Sequence, residues 1–415
     1  MDQQVATDQH SRAHALPRTG PPPAVDFAQA PFLTIWETTR SCALACRHCR
    51  ASAQPGRDPR ELTTTEGFCL IDEVADMGTP ILILSGGDPV NRPDLCELVR
   101  HGKSRGLRVA TIPAATDCLT RGVVESLAEA GLDQMAVSID FPRAELHDSF
   151  RGVPGAFTKT MQAIRWAHDA HLPLQVNTTV CGDTAPYFEE MADFVQGLGI
   201  VFWEVFFLVP TGRGSLLTGL SPAECERLFE LIYRVQLREG FVVKVTEAPH
   251  YRRHVAQREM KDAGAHSARV NGLATMPARL TRSEGPGHTV GLAPRGVNAG
   301  NGFLFVSHTG EIMPSGFLPI SVGSVRELSL ARAYRKGPLF QTLRTPSAFK
   351  GRCGRCEFRD ICGGSRSRAF GLTGDPFETD PWCAYQPLQH LEGRVSVADP
   401  ARSGSGGIRE QTSPD

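Results

Sequence analysis

No apolar run in this sequence is long enough to cross a bilayer. The longest, Ile200 to Pro210, is broken by Glu204 and falls well short of the ~20 residues a spanning helix needs. Neither sign of charge is in excess. With 44 Lys and Arg against 45 Asp and Glu, the net charge is −1, so there is no electrostatic footprint for nucleic acid or an anionic membrane. The first thirty residues hold Asp2 and several prolines but no apolar stretch, and do not read as a secretory signal. No repeat of solenoid period is present. These absences predict a soluble cytoplasmic protein. Its 41% hydrophobic content suffices for a core, and its 415 residues suggest two or three domains, one of which can be a large barrel.

Cysteine, by contrast, is plentiful for such a protein. There are twelve, unevenly placed, with three between Cys42 and Cys49 and three between Cys353 and Cys362. In a reducing compartment such clusters indicate metal binding or catalysis rather than disulfides.

Residues 1–30 and 396–415 are poor in large apolar groups and read as disordered tails. Between them, strands are predicted at Phe32–Glu37, Ile81–Leu84, Arg108–Ile112, Gln134–Ile139, Leu174–Val180 and Phe202–Leu208, each short, apolar and rich in β-formers. Helical patterns separate them. The first follows a possible capping box of Thr63 and Glu66; others read at Pro93–Ser104, Arg121–Ala130, Ala156–His171, Tyr187–Gly197 and Pro222–Glu239. Six strand–helix units over residues 31–240 predict an α/β barrel or an open doubly wound sheet, with chemistry at the carboxyl ends of the strands. Residues 241–300 read as a bridging segment, with poor periodicity from 252 onward. A small domain is expected over 301–395. It begins with a hairpin whose arms are Gly302–Ser307 and Glu311–Ser315.

Directly after the first predicted strand stands Cys42-Ala-Leu-Ala-Cys46-Arg-His-Cys49. Three thiolates in eight residues can reach three corners of a 4Fe–4S cube and leave one iron open to a small molecule, whereas a pure electron carrier uses four cysteines. A zinc site with one distant ligand is the other reading. Ser85-Gly86-Gly87-Asp88-Pro89 follows the second strand. Its glycines let backbone approach a ligand and its carboxylate suits an ammonium, though an ordinary βα turn has the same composition. Later come Cys353-Gly-Arg-Cys356, Cys362 and Cys383, four ligands for zinc or for a second 4Fe–4S cluster.

The CxxxCxxC segment, with His48 where a ring usually stands, resembles the signature of the radical S-adenosylmethionine (radical SAM) superfamily. The resemblance covers roughly Pro31 to Glu239 and implies a partial (β/α)6 TIM-like barrel. It further implies that Cys42, Cys46 and Cys49 hold a catalytic 4Fe–4S cluster whose open iron chelates S-adenosylmethionine. Reductive cleavage then gives a 5′-deoxyadenosyl radical that takes hydrogen from a substrate. Ser85–Pro89 looks like the family's GGE motif with Asp for Glu, and Ser138-Ile139-Asp140 is similar to its ribose-contacting strand end. Gly86, Gly87, Asp88, Ser138, Asp140 and Asn177 are thereby implied as cofactor contacts, with Thr179 near them. Pro210-Thr-Gly-Arg213-Gly214 matches a loop that faces the cofactor in relatives, or is a plain turn.

The C-terminal segment resembles the SPASM/twitch extension of the same superfamily, which binds auxiliary clusters. The full pattern has cysteines flanking the hairpin and one more at position 366; here Asn298, Ser315 and Arg366 stand there. The resemblance therefore implies a single auxiliary 4Fe–4S cluster on Cys353, Cys356, Cys362 and Cys383. Cys69, Cys96, Cys118, Cys181 and Cys225 read as small packed thiols. Two substrate classes fit: a small molecule of a cofactor pathway such as a tetrapyrrole, and a short ribosomally made peptide. The single remaining cluster and the run Cys362-Gly-Gly-Ser-Arg366-Ser-Arg368-Ala favour the tetrapyrrole group, with Arg366 and Arg368 either partners for substrate carboxylates or solvated or structural arginines. A flavodoxin- or ferredoxin-type reductant is implied, and no nucleic-acid or membrane partner. The rival of another class is a non-catalytic zinc or electron-transfer protein.

Overall fold

Leu33–Glu37 (β1) is buried on both faces, as a strand inside a parallel sheet is. It lies inside one in the computed structural model of the protein, which describes residues 25–238, 240–262 and 296–388. The other predicted strands appear in order: β2 (Ile81–Ser85), β3 (Arg108–Thr111), β4 (Gln134–Ser138), β5 (Leu174–Val180) and β6 (Phe202–Phe207). Each pairs in parallel with the one before it.

The helices follow the apolar periodicity. Thr63 and Glu66 form the expected reciprocal cap of α1 (Thr64–Asp76), which buries Leu70, Ile71 and Val74. α2 (Leu95–Ser104), α3 (Arg121–Glu129), α4 (Ala144–Arg151), α5 (Ala156–Asp169), α6 (Phe188–Gln196) and α7 (Pro222–Arg238) complete the crossovers. Gly67 is required where α1 crosses the sheet, because a Cβ there would stand 2.6 Å from the ring of Trp36.

Several predicted boundaries are corrected. The bridging segment expected over 241–300 contains a further parallel strand, β7 (Val242–Thr246), paired with β6, and α8 (His250–Asp262). The rest of it, 263–295, lies outside the described residues. The predicted hairpin is present, but its first arm, β8 (Phe303–Val306), is no separate module. It pairs in parallel with β1 and carries β9 (Ile312–Met313) antiparallel on its outer side. The sheet therefore runs β7-β6-β5-β4-β3-β2-β1-β8-β9. Residues 25–30 of the expected N-terminal tail are ordered: Phe27 is buried beneath Gly302, and the hydroxyl of Tyr334 donates to its carbonyl at 2.8 Å. The remainder of that tail and the expected C-terminal tail lie outside the described residues. No described helix is long and apolar enough to cross a membrane.

Candidate active site

Loops leaving the carboxyl ends of β1 to β6 line an outer cavity. Cys42, Cys46 and Cys49 all line it, and none is in a disulfide. Their loop is pinned from several sides. Cys42 N–H donates to the carbonyl of Gln54 and Arg47 N–H to that of Phe150, both at 2.9 Å. Arg213 clamps it from the loop after β6. Its Nε donates to the Cys46 carbonyl at 2.9 Å and its backbone N–H to the Cys49 carbonyl at 3.0 Å. Gly212 makes this clamp possible: its φ is +56° and a Cβ would stand 2.3 Å from the Arg50 carbonyl. The Pro210–Gly214 segment is thus a brace for the cysteine loop.

Backbone N–H groups of Leu44 and Ala53 reach Cys42 Sγ at 3.3 Å and Cys49 Sγ at 3.4 Å. Burial pushes the Cys42 thiol up to about 12 and raises that of Cys46, although Arg151 beside Cys46 acts the other way. Iron that binds them therefore displaces protons. The three thiols line one cavity and supply three thiolate donors. That arrangement fits three corners of a four-iron cube.

Of the six predicted cofactor contacts, Gly86, Gly87, Ser138 and Asn177 line the cavity; so does Thr179. Asp88 and Asp140 do not. The Asp88 carboxylate is fully buried and accepts from Thr116 Oγ1 at 2.8 Å and from the N–H groups of Val90 and Ala114 at 3.2 Å. Burial raises its pKa against those three donors. Asp140 accepts the Thr179 N–H at 2.8 Å and pairs with Arg151 Nη2 at 2.5 Å. Burial works against its charge, but Arg151, His48 and His147 together hold its pKa below the usual carboxylate range. Both carboxylates brace loops behind the cavity wall. The glycines serve the same end: Gly87 N–H donates to the Thr39 carbonyl and Asp88 N–H to the Ser41 carbonyl, both at 2.7 Å. This welds the Gly-Gly loop to the cysteine loop.

Sequence reasoning missed a second, inner cavity, which shares Ile112, Phe206 and Phe317 with the first. One wall is apolar, from Leu33, Ile35, Ile83 and Phe303. Across it runs a hydrogen-bonded ladder. Gln134 donates to Gln175 at 2.5 Å and Gln175 to Glu204 at 2.8 Å. Thr246 donates to Glu204 at 2.6 Å, and Lys244 pairs with it at 2.9 Å. Glu204 had registered only as a charge interrupting an apolar strand, and Lys244 lay in the supposed bridge. The one signal along the chain was a charge inside an apolar strand, which needs a partner when buried.

Cys353, Cys356, Cys362 and Cys383 line a separate small cavity, and Gly364 lines both it and the inner cavity. The N–H groups of Asp380 and Gly364 donate to Cys353 Sγ and Cys362 Sγ, each at 3.4 Å. Of the roles open to Arg366 and Arg368, the structural one holds: neither is free to meet a substrate. Arg366 is buried. It donates to the carbonyls of Pro376 and Glu378 at 2.9 and 2.8 Å and to Cys353 Sγ at 3.4 Å. Arg368 is buried over Trp382 and pairs with Asp380 at 3.1 Å. Of the remaining cysteines, Cys181 and Cys225 are buried and Cys69 and Cys118 are exposed; none lines either large cavity.

Comparison with known proteins agrees with this geometry. Residues 36–195 match the radical SAM superfamily model. A protein of Oleidesulfovibrio alaskensis named AdoMet-dependent heme synthase is 39% identical over 380 residues, 91% of this chain and 92% of its own length. One of Methanosarcina barkeri with the same name is 40% identical, over 88% and 99% of the two chains. The crystal structure of Streptococcus suis SuiB bound to S-adenosylmethionine shares the fold, with a TM-score of 0.63 at 15% identity over 86% of this chain and 78% of that one. The chain belongs to the radical SAM superfamily, enzymes that use a 4Fe–4S cluster and S-adenosylmethionine.

Proposed function

We propose that this chain is a haem-pathway enzyme that oxidatively modifies a tetrapyrrole bearing carboxylate side chains. The observation that carries the reading is identity of 39–40% along nearly the whole chain to two proteins named AdoMet-dependent heme synthase. Cys42, Cys46 and Cys49 hold the catalytic cluster. The backbone of Gly86 and Gly87, with Ser138 and Asn177, forms the S-adenosylmethionine site, and Asp88 and Asp140 position it from behind. When bound, cluster and cofactor supply the electron and the 5′-deoxyadenosyl radical that takes hydrogen from the substrate. Cys353, Cys356, Cys362 and Cys383 hold an auxiliary 4Fe–4S cluster beside the inner cavity. That cavity combines an apolar wall with a few polar groups, as a small-molecule site does. A flavodoxin- or ferredoxin-type protein is the expected reductant.

Anaerobic reconstitution tests the whole reading. The wild type should carry about eight irons per chain, and the Cys42→Ala, Cys46→Ala, Cys49→Ala variant about four. With dithionite, 5′-deoxyadenosine should form only with the wild type, and an added iron porphyrin should shift its Soret band. Equal 5′-deoxyadenosine release by the variant would overturn the cluster assignment. Turnover of a short peptide without any porphyrin binding would overturn the substrate and leave a peptide maturase.

A further inference from the structure

The inner cavity has an imbalance of charge. Three cationic side chains line it, Lys244, Arg252 and Arg366, against two carboxylates, Glu204 and Glu247. Lys244 is matched by Glu204. Arg366 is spent on carbonyls and on Cys353, as described. Glu247 is held at φ +59°, an unfavourable conformation for a residue with a side chain, and its carboxylate accepts from Ser365 Oγ at 2.6 Å and Ser367 Oγ at 3.0 Å. Burial raises its pKa, which further weakens it as a counter-ion.

Arg252, from the first turn of α8, is different. Its Nη1 donates to Asn298 Oδ1 at 3.1 Å and to the Ile361 carbonyl at 3.2 Å, and its Nη2 donates to the Val297 carbonyl at 2.5 Å. Among the described residues it has no carboxylate partner. Of its five N–H donors, three are engaged, so Nε and one hydrogen of Nη2 are left over. Burial lowers its pKa to about 10, against the pull of Cys362 and Glu247. Arg252 is only partly buried, and its hydrogen-bond partners are all neutral, so its guanidinium keeps donors for an anion in the cavity beyond the longer-range pull of Cys362 and Glu247.

We infer that the inner cavity is a binding site for an apolar molecule bearing a carboxylate, and that Arg252 is its carboxylate anchor. The apolar wall from Leu33, Ile35, Ile83 and Phe303 takes the body of the molecule. The two remaining donors of Arg252 take one carboxylate group, forming charge-assisted hydrogen bonds. This rests on the tetrapyrrole reading only for the identity of the apolar body.

The test uses the reconstituted holoenzyme under anaerobic conditions. Two probe pairs are titrated: an iron porphyrin carrying propionates against its methyl ester, followed at the Soret band, and pyrenebutyric acid against its methyl ester, followed by fluorescence. The wild type should bind each acid at least about tenfold more tightly than its ester. Arg252→Gln keeps hydrogen-bond donors for the neighbouring carbonyls but removes the charge. It should abolish the acid preference and leave ester binding and iron content unchanged, while Arg252→Lys should restore part of the preference. Equal affinity of the wild type for acid and ester overturns the anchor, as does equal loss of both ligands in Arg252→Gln. If porphyrins fail to bind while pyrenebutyrate binds with an Arg252-dependent acid preference, the tetrapyrrole reading falls and the carboxylate site stands.

Discussion

Arg151, which lines the outer cavity, holds the buried Asp140 at 2.5 Å. The same guanidinium lies 3.8 Å from Cys46 Sγ through its other terminal nitrogen. One residue at the end of α4 thus ties the end of β4 to the cysteine loop. Removing it leaves a carboxylate buried without its cation. Arg151→Met should therefore cost about 3 kcal/mol in denaturant unfolding. Arg151→Met with Asp140→Asn should recover most of that loss, because no buried charge is then left over. A double variant no more stable than the single one would show that the pair matters through shape rather than charge.

The Gly-Gly loop tests the claim that glycine is there for backbone contact. A Cβ on Gly87 would stand 2.6 Å from the Ser41 carbonyl and 2.7 Å from that of Arg40. The Ser41 oxygen is held by the Asp88 N–H and the Arg40 oxygen by the Gln54 N–H, so neither can retreat without breaking a hydrogen bond. Gly87→Ala should cost about 1–3 kcal/mol and sharply reduce 5′-deoxyadenosine formation. Gly56→Ala, in an exposed part of the same cysteine loop with nothing within 4 Å, should do neither. Equal behaviour of the two variants would refute the contact argument.

How much of this was legible in the sequence follows from what each residue is doing. β1 to β6 were readable because strands buried on both faces are short runs rich in apolar and β-branched residues, even where a single polar group such as Gln175 or Glu204 interrupts them. Val242–Thr246 has the same β-branched character but carries Lys244, and that charge is tolerable only because Glu204 lies beside it on β6. A cross-strand partner is invisible along the chain. The three cysteines and two glycines were legible as a site because their spacing is itself the chemistry. Asp88 and Asp140 sit at the expected positions, but nothing in spacing tells which way a carboxylate turns. Thr116, 28 residues from Asp88, and Arg151, from the following helix, capture them. Phe27 was placed in a disordered tail because its packing partner, Gly302, lies far along the chain.

His48 offers a prediction about an aromatic position. Its ring stacks on Phe150 with centroids 4.7 Å apart and planes 14° from parallel. Burial lowers its pKa to about 4, so the ring is neutral near pH 7, and its Nδ1 is buried without a hydrogen-bond partner among the described residues. The ring contributes shape, and one of its polar atoms is a liability. His48→Phe should keep full iron content and 5′-deoxyadenosine formation within about twofold, with stability equal or higher. His48→Ala should lose stability by about 1–2 kcal/mol through the lost aromatic contact. Loss of cleavage in His48→Phe at full iron content would assign the imidazole a chemical role.

Glu37, at the end of β1, gives the fold a specific acid sensitivity. Its carboxylate is fully buried and meets Arg50 at 2.9 Å, His308 at 3.0 Å and Arg40 at 3.2 Å. Burial alone would raise its pKa, but Arg50, His308 and Arg40 outweigh it and lower the value from 4.5 to about 2. A carboxylate whose pKa is depressed on folding stabilises the native state at all pH values above its unfolded pKa. That contribution fades as pH falls from about 4.5 to about 2, and over this span it amounts to about 3 kcal/mol. Glu37→Gln cannot ionise, so it should be less stable than wild type by about that amount at pH 7. Urea unfolding of both proteins at pH 7, 4 and 3 should show the difference shrinking only below pH 4.5. A difference that stays constant down to pH 3 would mean that the substitution acts through packing, and that the charge of Glu37 contributes nothing.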